Sequence, residues 1–108
     1  MTKSIKFDRY RFVVNLNLIV RYGWEPEINV KCKNGKSFTI IAYADWIDVY
    51  SENNNFVKKV KDVNELFDVI PAENILSVID GCGLDYSVDW SDRILIEDGQ
   101  LYLYPENK

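Results

Sequence analysis

Apolar and polar residues alternate along the first long segment of the chain, residues 9–22. Apolar residues occupy every second position from Tyr10 to Tyr22, and most of the residues between them are polar. A period of two is typical of a half-buried β-strand. The flanking residues are typical of a helix instead, because Asp8 suits an N-cap and Gly23 suits the position just past a helix end. On periodicity we predict a strand here, with a helix as the alternative.

Residues 28–43 have the pattern of a β-hairpin around an Asn-Gly pair. A three-residue loop that ends at Gly35, in the left-handed conformation, would pair Ile28 with Ile40 and give one apolar face. A two-residue turn is the alternative, and it would place serine and threonine on that face instead. We therefore predict the three-residue loop, and we expect the second strand to continue through residues 46–51.

The middle of the chain carries signals for an edge strand and for one or two short helices. Residues 56–61 are rich in lysine, which discourages unwanted pairing at the edge of a sheet. Asp62 and Glu65 have capping-box spacing, so a helix is expected to begin there and to end before Pro71. A second short helix is expected over residues 71–81, where proline can begin a helix and glycine can follow its end. Its buried stripe would consist of Ile75, Leu76 and Ile79.

In the last part of the chain, the residue pattern predicts one more strand and a second hairpin. Within the strand at residues 85–91, Tyr86, Val88 and Trp90 would face one way. Residues 93–104 surround an Asp-Gly pair, the strongest short hairpin signal in the chain. Direct pairing would place four apolar residues in the core: Ile94, Ile96, Leu101 and Leu103. The opposite face would carry Arg93, Leu95, Glu97, Gln100, Tyr102 and Tyr104.

Together these segments predict an α+β fold for residues 1–108, taken as a single domain. It would be a mainly antiparallel sheet with one or two short helices around residues 62–80, and the sheet could curl or close into a small barrel. The composition is that of a globular chain, since 47% of the 108 residues are hydrophobic and 28% are charged. No apolar run resembles a signal peptide or reaches transmembrane length, so we expect a cytoplasmic protein.

The sequence lacks the residues that most catalytic sites need. It contains no histidine, which removes the commonest general base and, with only two cysteines, nearly all zinc sites. It also lacks the glycine-rich loops that bind nucleotide phosphates. Cys82 lies between two glycines without a histidine to activate its thiol, and the acidic residues do not have EF-hand spacing. We therefore expect no enzyme activity, no catalytic residue, no cofactor and no metal site.

Charge is distributed unevenly along the chain. Residues 1–61 hold 11 basic and 6 acidic residues, whereas residues 62–108 hold 2 basic and 11 acidic residues, so the net charge of −4 conceals +5 and −9. Such asymmetry is evidence about partners. The acidic half combines carboxylates with aromatic residues, which suits a binding hot spot with steering charges. The hypothesised partner-binding residues are Asp85, Asp89, Trp90, Asp92, Glu97, Tyr102 and Tyr104.

These residues favour a small acidic protein that binds the basic surface of another protein, for example a nucleic-acid-processing enzyme, and inhibits or masks that partner. Toxin-immunity proteins and inhibitors encoded by phages or mobile elements are of this kind. The alternative function uses the lysines of residues 30–36 and 57–61. The Asn-Gly-Lys turn and the later IPAENILSVI segment resemble parts of a small Sm-like or SH3-like barrel, which implies nucleic-acid binding. The sequence pI of 4.8 argues against nucleic acid, and the oligomeric state stays open.

Overall fold

The fold was established from a computed structural model, which describes residues 7–88, 90 and 94–103. In that part of the chain a five-stranded antiparallel sheet and a separate two-stranded sheet accompany two α-helices and a short 3₁₀ helix. The predicted α+β class is therefore confirmed. In chain order the elements are α1 (Arg9–Arg21), β1 (Glu27–Cys32), β2 (Ser37–Ala42), β3 (Ile47–Ser51), β4 (Phe56–Val60), α2 (Val63–Val69), the 3₁₀ helix (Ala72–Asn74), β5 (Ile75–Asp80), β6 (Ile94–Glu97) and β7 (Gln100–Leu103).

The strand predicted for residues 9–22 is wrong, because α1 occupies this segment. The residues that favoured the helix alternative are present at the two ends of α1. The Asp8 carboxylate accepts a hydrogen bond from the Arg11 backbone N at 3.0 Å, and Gly23, past the helix end, has φ +86°. An N-cap of this kind satisfies a backbone donor that the first helical turn leaves unpaired.

The inner side of α1 belongs to the hydrophobic core through Phe12, Leu16 and Ile19, each at most 1% exposed. Apolar residues also lie on its outer side, where Tyr10 is 73% exposed and Val14 is 43% exposed. Because a helix repeats about every 3.6 residues, apolar residues on two opposite sides imitate the strict alternation of a strand. This second apolar side explains the wrong prediction.

The five-stranded sheet has the strand order β4-β3-β2-β1-β5, and all neighbouring strands are antiparallel. The β1–β2 hairpin has the predicted register, with Ile28 opposite Ile40 and a left-handed Gly35 at φ +88°. The predicted continuation of β2 through residues 46–51 is wrong, because the chain reverses between Ala42 and Ile47 and β3 pairs beside β2. Among the described residues no pairing joins β4 to β5, so the sheet is open and the barrel form is not adopted.

The segment after β3 follows the prediction closely. Strand β4 lies at the sheet edge, and α2 follows it immediately. The Asp62 carboxylate accepts a hydrogen bond from the Glu65 backbone N at 3.0 Å, and the Glu65 side chain in turn accepts one from the Lys61 backbone N at 2.6 Å. The helix ends at Val69, two residues before Pro71, which cannot donate a helical hydrogen bond.

The helix predicted for residues 71–81 is limited to the 3₁₀ helix, and the rest of the segment is strand β5. Of the predicted stripe, Ile75 is buried as expected, together with Val78. The prediction is wrong for Leu76, which is 50% exposed, and for Ile79, which is 38% exposed. Strand β5 pairs along the free side of β1. This long-range pairing overrides the local helix signal, since strand preference depends strongly on tertiary context.

The core lies on one side of the five-stranded sheet. Along β1 exposed and buried residues alternate, with Ile28, Val30 and Cys32 turned inward. These residues form a single cluster with the buried residues of α1 and α2, so both helices lie on the inner side of the sheet. No helix in the described part of the chain is long and apolar enough to cross a membrane.

Candidate functional site

The turn after β5, residues 81–88, is organised by the carboxylate of Asp80. That carboxylate accepts hydrogen bonds from the backbone N of Cys82 at 2.8 Å and of Leu84 at 3.1 Å. It also accepts one from the Tyr86 hydroxyl at 3.0 Å. The strand predicted at residues 85–91 is wrong in its described part, which forms turns and a single β-bridge. Asp80 is therefore a structural residue of this turn.

Two aromatic residues in and just after this turn are core residues. Tyr86 is fully buried and Trp90 is 1% exposed, and their rings meet edge to face with centroids 4.8 Å apart. The Trp90 indole N–H donates to the backbone carbonyl of Asp85 at 2.7 Å. Burial and the neighbouring Asp80 carboxylate raise the pKa of the Tyr86 hydroxyl, so this hydroxyl stays protonated and donates. Trp90 therefore lies outside any contact surface, although the sequence suggested it as a partner-binding residue.

A buried amide joins this segment to α1. The side-chain nitrogen of Asn15, a residue only 7% exposed, donates to the backbone carbonyls of Tyr86 and Val88, each at 2.9 Å. These bonds satisfy two carbonyls that have no strand partner. The sequence pattern counted Asn15 among the polar residues of a half-exposed strand, so this contact could be recognised only once the segment was known to be a helix.

Apart from the buried Trp90, the hypothesised partner-binding residues separate into three groups. Asp85 is half-buried, and its Oδ1 accepts hydrogen bonds from the backbone N and the hydroxyl of Ser87, both at 2.8 Å, which gives it a turn-forming role. Glu97 and Tyr102 lie exposed on the terminal hairpin. Asp89, Asp92 and Tyr104 lie outside the described residues.

The terminal hairpin forms with the predicted register. Leu95 lies opposite Tyr102, and Glu97 lies opposite Gln100. The turn residues Asp98 and Gly99 have φ +54° and +74°, which is the conformation of a type I′ turn. In the described part of the chain this hairpin forms a two-stranded sheet of its own.

The inner side of the hairpin reaches the core through β7. Leu101 is 1% exposed and belongs to the core cluster. Its cross-strand partner Ile96 was predicted to be core but is 50% exposed, so that prediction is wrong. The core covers β7 at Leu101. Strand β6 lies at the periphery of the core, and every described side chain of β6 is exposed. The side chains of Ile94 and Leu103, the other two predicted core residues, lie outside the described part.

The outer side of the hairpin presents apolar and acidic groups together. Leu95 is 43% exposed and Tyr102 is 44% exposed, and the two are direct cross-strand partners. Glu97 and Gln100, the next pair toward the turn, are exposed as well. We call these four residues, Leu95, Glu97, Gln100 and Tyr102, the outer hairpin face.

The two lysine-rich segments, 30–36 and 57–61, lie on strands that are not neighbours in the sheet. Segment 30–36 lies on β1 and its loop, and segment 57–61 lies on β4, with two strands between them. At about 4.8 Å per strand, the two segments are roughly 14 Å apart. The groove of about 480 Å³ on the outer sheet face is lined by residues of both charges, including Glu27, Lys31 and Asp80.

The two cysteines are separate free thiols with different surroundings. Cys32 is buried, and burial raises the pKa of its thiol, whereas Cys82 is exposed in the turn after β5. Among residues 7–88, 90 and 94–103 no group of three or more potential ligands could hold a metal ion. On the described surface of the hairpin, exposed apolar area and carboxylates thus lie side by side.

Comparison with known proteins identifies no relative of this chain. No protein-family model, no curated protein and no solved structure gives a significant match to the chain.

Proposed function

We propose that this protein is a non-enzymatic binding protein of the inhibitor or immunity type, and that its outer hairpin face contacts a basic surface on another protein. The observation that supports this most is the exposed Leu95–Tyr102 pair beside Glu97. Apolar and aromatic side chains beside charge are the usual composition of a binding hot spot and its rim.

The exposure of the hairpin supports a contact role on energetic grounds. Two-stranded hairpins are marginally stable in isolation, and this one has Leu101 as its described core anchor. Burying the remaining exposed surface of Leu95 and Tyr102 against a partner would contribute about 1 kcal/mol each. Because the two side chains are adjacent across the strands, one apolar patch on a partner can cover both.

The charge of the hairpin supports a basic partner. Residues 94–103 contain Glu97 and Asp98 and no lysine or arginine, and the one basic residue that alternation assigns to the same side, Arg93, precedes them outside the described residues. Carboxylates at the rim of an interface attract a basic partner during encounter and raise the association rate. An acidic partner would be repelled by the same groups.

Site-specific photo-crosslinking tests this proposal directly. A photoreactive amino acid in place of Tyr102 is expected to give a light-dependent adduct with another protein in the cells that produce this chain. The adduct should decrease when the same cells also express unlabelled wild-type protein, which competes for the partner. Mass spectrometry of the adduct identifies that protein and the charge of its contact surface.

The matched control carries the same photoreactive amino acid in place of Val57. Val57 lies on the edge strand β4 and is 45% exposed, close to the 44% of Tyr102. Little or no adduct is expected from position 57. Equal adducts from both positions, or none from position 102, would overturn the proposal. An adduct between two copies of this chain is recognised by its mass and does not count as support.

A further inference from the structure

Within the part of the chain that the structure describes, a second uncovered surface lies on the outer side of α1. Tyr10 is 73% exposed, Val14 is 43% exposed and Leu18 is partly exposed, and their spacing of four residues places them on one side of the helix. The inner side of the same helix is buried in the core. A helix that is apolar on two opposite sides is ordinarily covered on both.

The outer side of α1 is basic as well as apolar. The helix contains no acidic residue, and of its three arginines Arg21 lies on the outer side, whereas Arg9 lies over the Phe67 ring at 4.8 Å. Arg21 falls on the same side as Tyr10 and Val14, because it lies eleven and seven residues further along the helix. A shallow depression of about 320 Å³ is lined by Val14, Asn17, Leu18 and Arg21. An occupant of this surface would therefore combine apolar side chains with carboxylates.

The chain itself carries such an occupant. The outer hairpin face offers an exposed leucine and tyrosine beside Glu97, and no basic residue lies within residues 94–103. We propose that the outer side of α1 binds the outer hairpin face of a second copy of this chain, in a two-fold dimer in which each copy contributes both surfaces. A closed two-fold arrangement contains this contact twice and leaves neither copy of either surface exposed.

Charge favours this pairing over the simpler contact of α1 with α1. Two copies of α1 facing each other would offer Arg21 no carboxylate from the partner helix, because α1 contains no acidic residue. Pairing α1 with the hairpin instead places Arg21 against a surface that contains Glu97. The inference rests on the proposed function only in treating the hairpin as a contact surface. It adds that self-association and partner binding compete, so a dimer masks the hairpin until the partner displaces it.

The test is analytical ultracentrifugation of the purified protein over a range of concentrations at low and high salt. The wild type is expected to form dimers that weaken as salt rises. Arg21→Glu and Glu97→Arg should each weaken the dimer by roughly tenfold or more, because each places like charges together in both contacts. Mixing the two variants should restore dimers, since each contact in the mixed dimer then contains opposite charges.

The mixing experiment separates a lost contact from a lost fold, because a misfolded variant cannot be rescued by its complement. Lys33→Glu, an exposed loop substitution of the same size of charge change, should leave the dimer unchanged. A wild type that stays monomeric throughout, or single variants that fail without rescue on mixing, would overturn the inference. Either result leaves the cross-linking test of the hairpin unaffected, so the two proposals fail separately.

Discussion

Replacing Trp90 with alanine is expected to lower the free energy of unfolding by about 3–5 kcal/mol. The side chain is 1% exposed, packs edge to face on Tyr86 and donates a hydrogen bond to the Asp85 carbonyl at 2.7 Å. Its removal leaves a large cavity and an unpaired buried carbonyl, and both cost stability. Urea denaturation followed by circular dichroism measures the effect independently of tryptophan fluorescence.

Trp24→Ala is the matched control, because Trp24 is 37% exposed. Its loss should cost about 1–2 kcal/mol, clearly less than the loss of Trp90, because more than a third of its surface is in contact with water. If both variants unfold at the wild-type urea concentration, Trp90 does not lie in the core. In that case the packing of Trp90 against Tyr86 in the core is incorrect.

Leu101→Ala is expected to cost about 2–5 kcal/mol, because Leu101 is 1% exposed and joins the terminal hairpin to the core. Its cross-strand partner provides an internal control. Ile96 is 50% exposed, so Ile96→Ala should cost less than about 1 kcal/mol. The two substitutions remove aliphatic side chains of equal size from one side of one hairpin, so the comparison isolates burial.

The difference between these two variants is the informative quantity, measured by urea denaturation under identical conditions. Similar losses at both positions would mean that the core covers β6 as fully as β7. Such a result would remove the exposed, peripheral hairpin on which the proposed function depends. Leu101→Ala should also weaken partner binding, because a hairpin that is not held by the core pays an additional ordering cost on binding.

Both hairpins could be predicted from sequence because their signals are local. Gly35 and Gly99 occupy the left-handed positions that their turns require, with φ +88° and +74°. Each turn then fixes the register of the strands that it joins. The capping residue Asp62 located the start of α2 for the same reason, since the groups involved lie within a few residues of each other.

The errors concern elements whose structure depends on distant contacts. The sequence pattern predicts a strand for residues 9–22 because the outer side of α1 is also apolar. Nothing within these residues shows which of the apolar side chains are buried. The local sequence of β5 suits a helix, and it therefore predicts a helix where the structure has a strand. The segment forms a strand instead because it pairs with β1, almost 50 residues earlier in the chain.

The register of the hairpin that carries the candidate site was predictable, and the burial of its side chains was predictable only in part. The sequence indicated the acidic end of the chain and the correct pairing of Leu95 with Tyr102. It placed Trp90 at the surface and Ile96 in the core, and the structure reverses both. Alternation along a strand predicts which residues share a side, but the extent of the core determines which of them it covers.

The central claim is that the outer hairpin face binds another protein, and the most direct measurement is the binding kinetics of the cross-linked partner once it is purified. Tyr102→Ser should raise the dissociation rate by roughly tenfold, since an aromatic contact is lost from the bound state. Glu97→Gln should instead slow association by roughly two- to fivefold at low salt, and this difference should shrink at high salt.

Two substitutions outside the hairpin complete the measurement: Val57→Ser on the edge strand and Glu73→Gln on the 3₁₀ helix, both exposed. They match the loss of apolar surface and the loss of charge, respectively, and both should bind with wild-type rate constants. The account predicts that only the two hairpin variants change the kinetics, one in dissociation and the other in association. Wild-type rates for Tyr102→Ser and Glu97→Gln at low salt would contradict it.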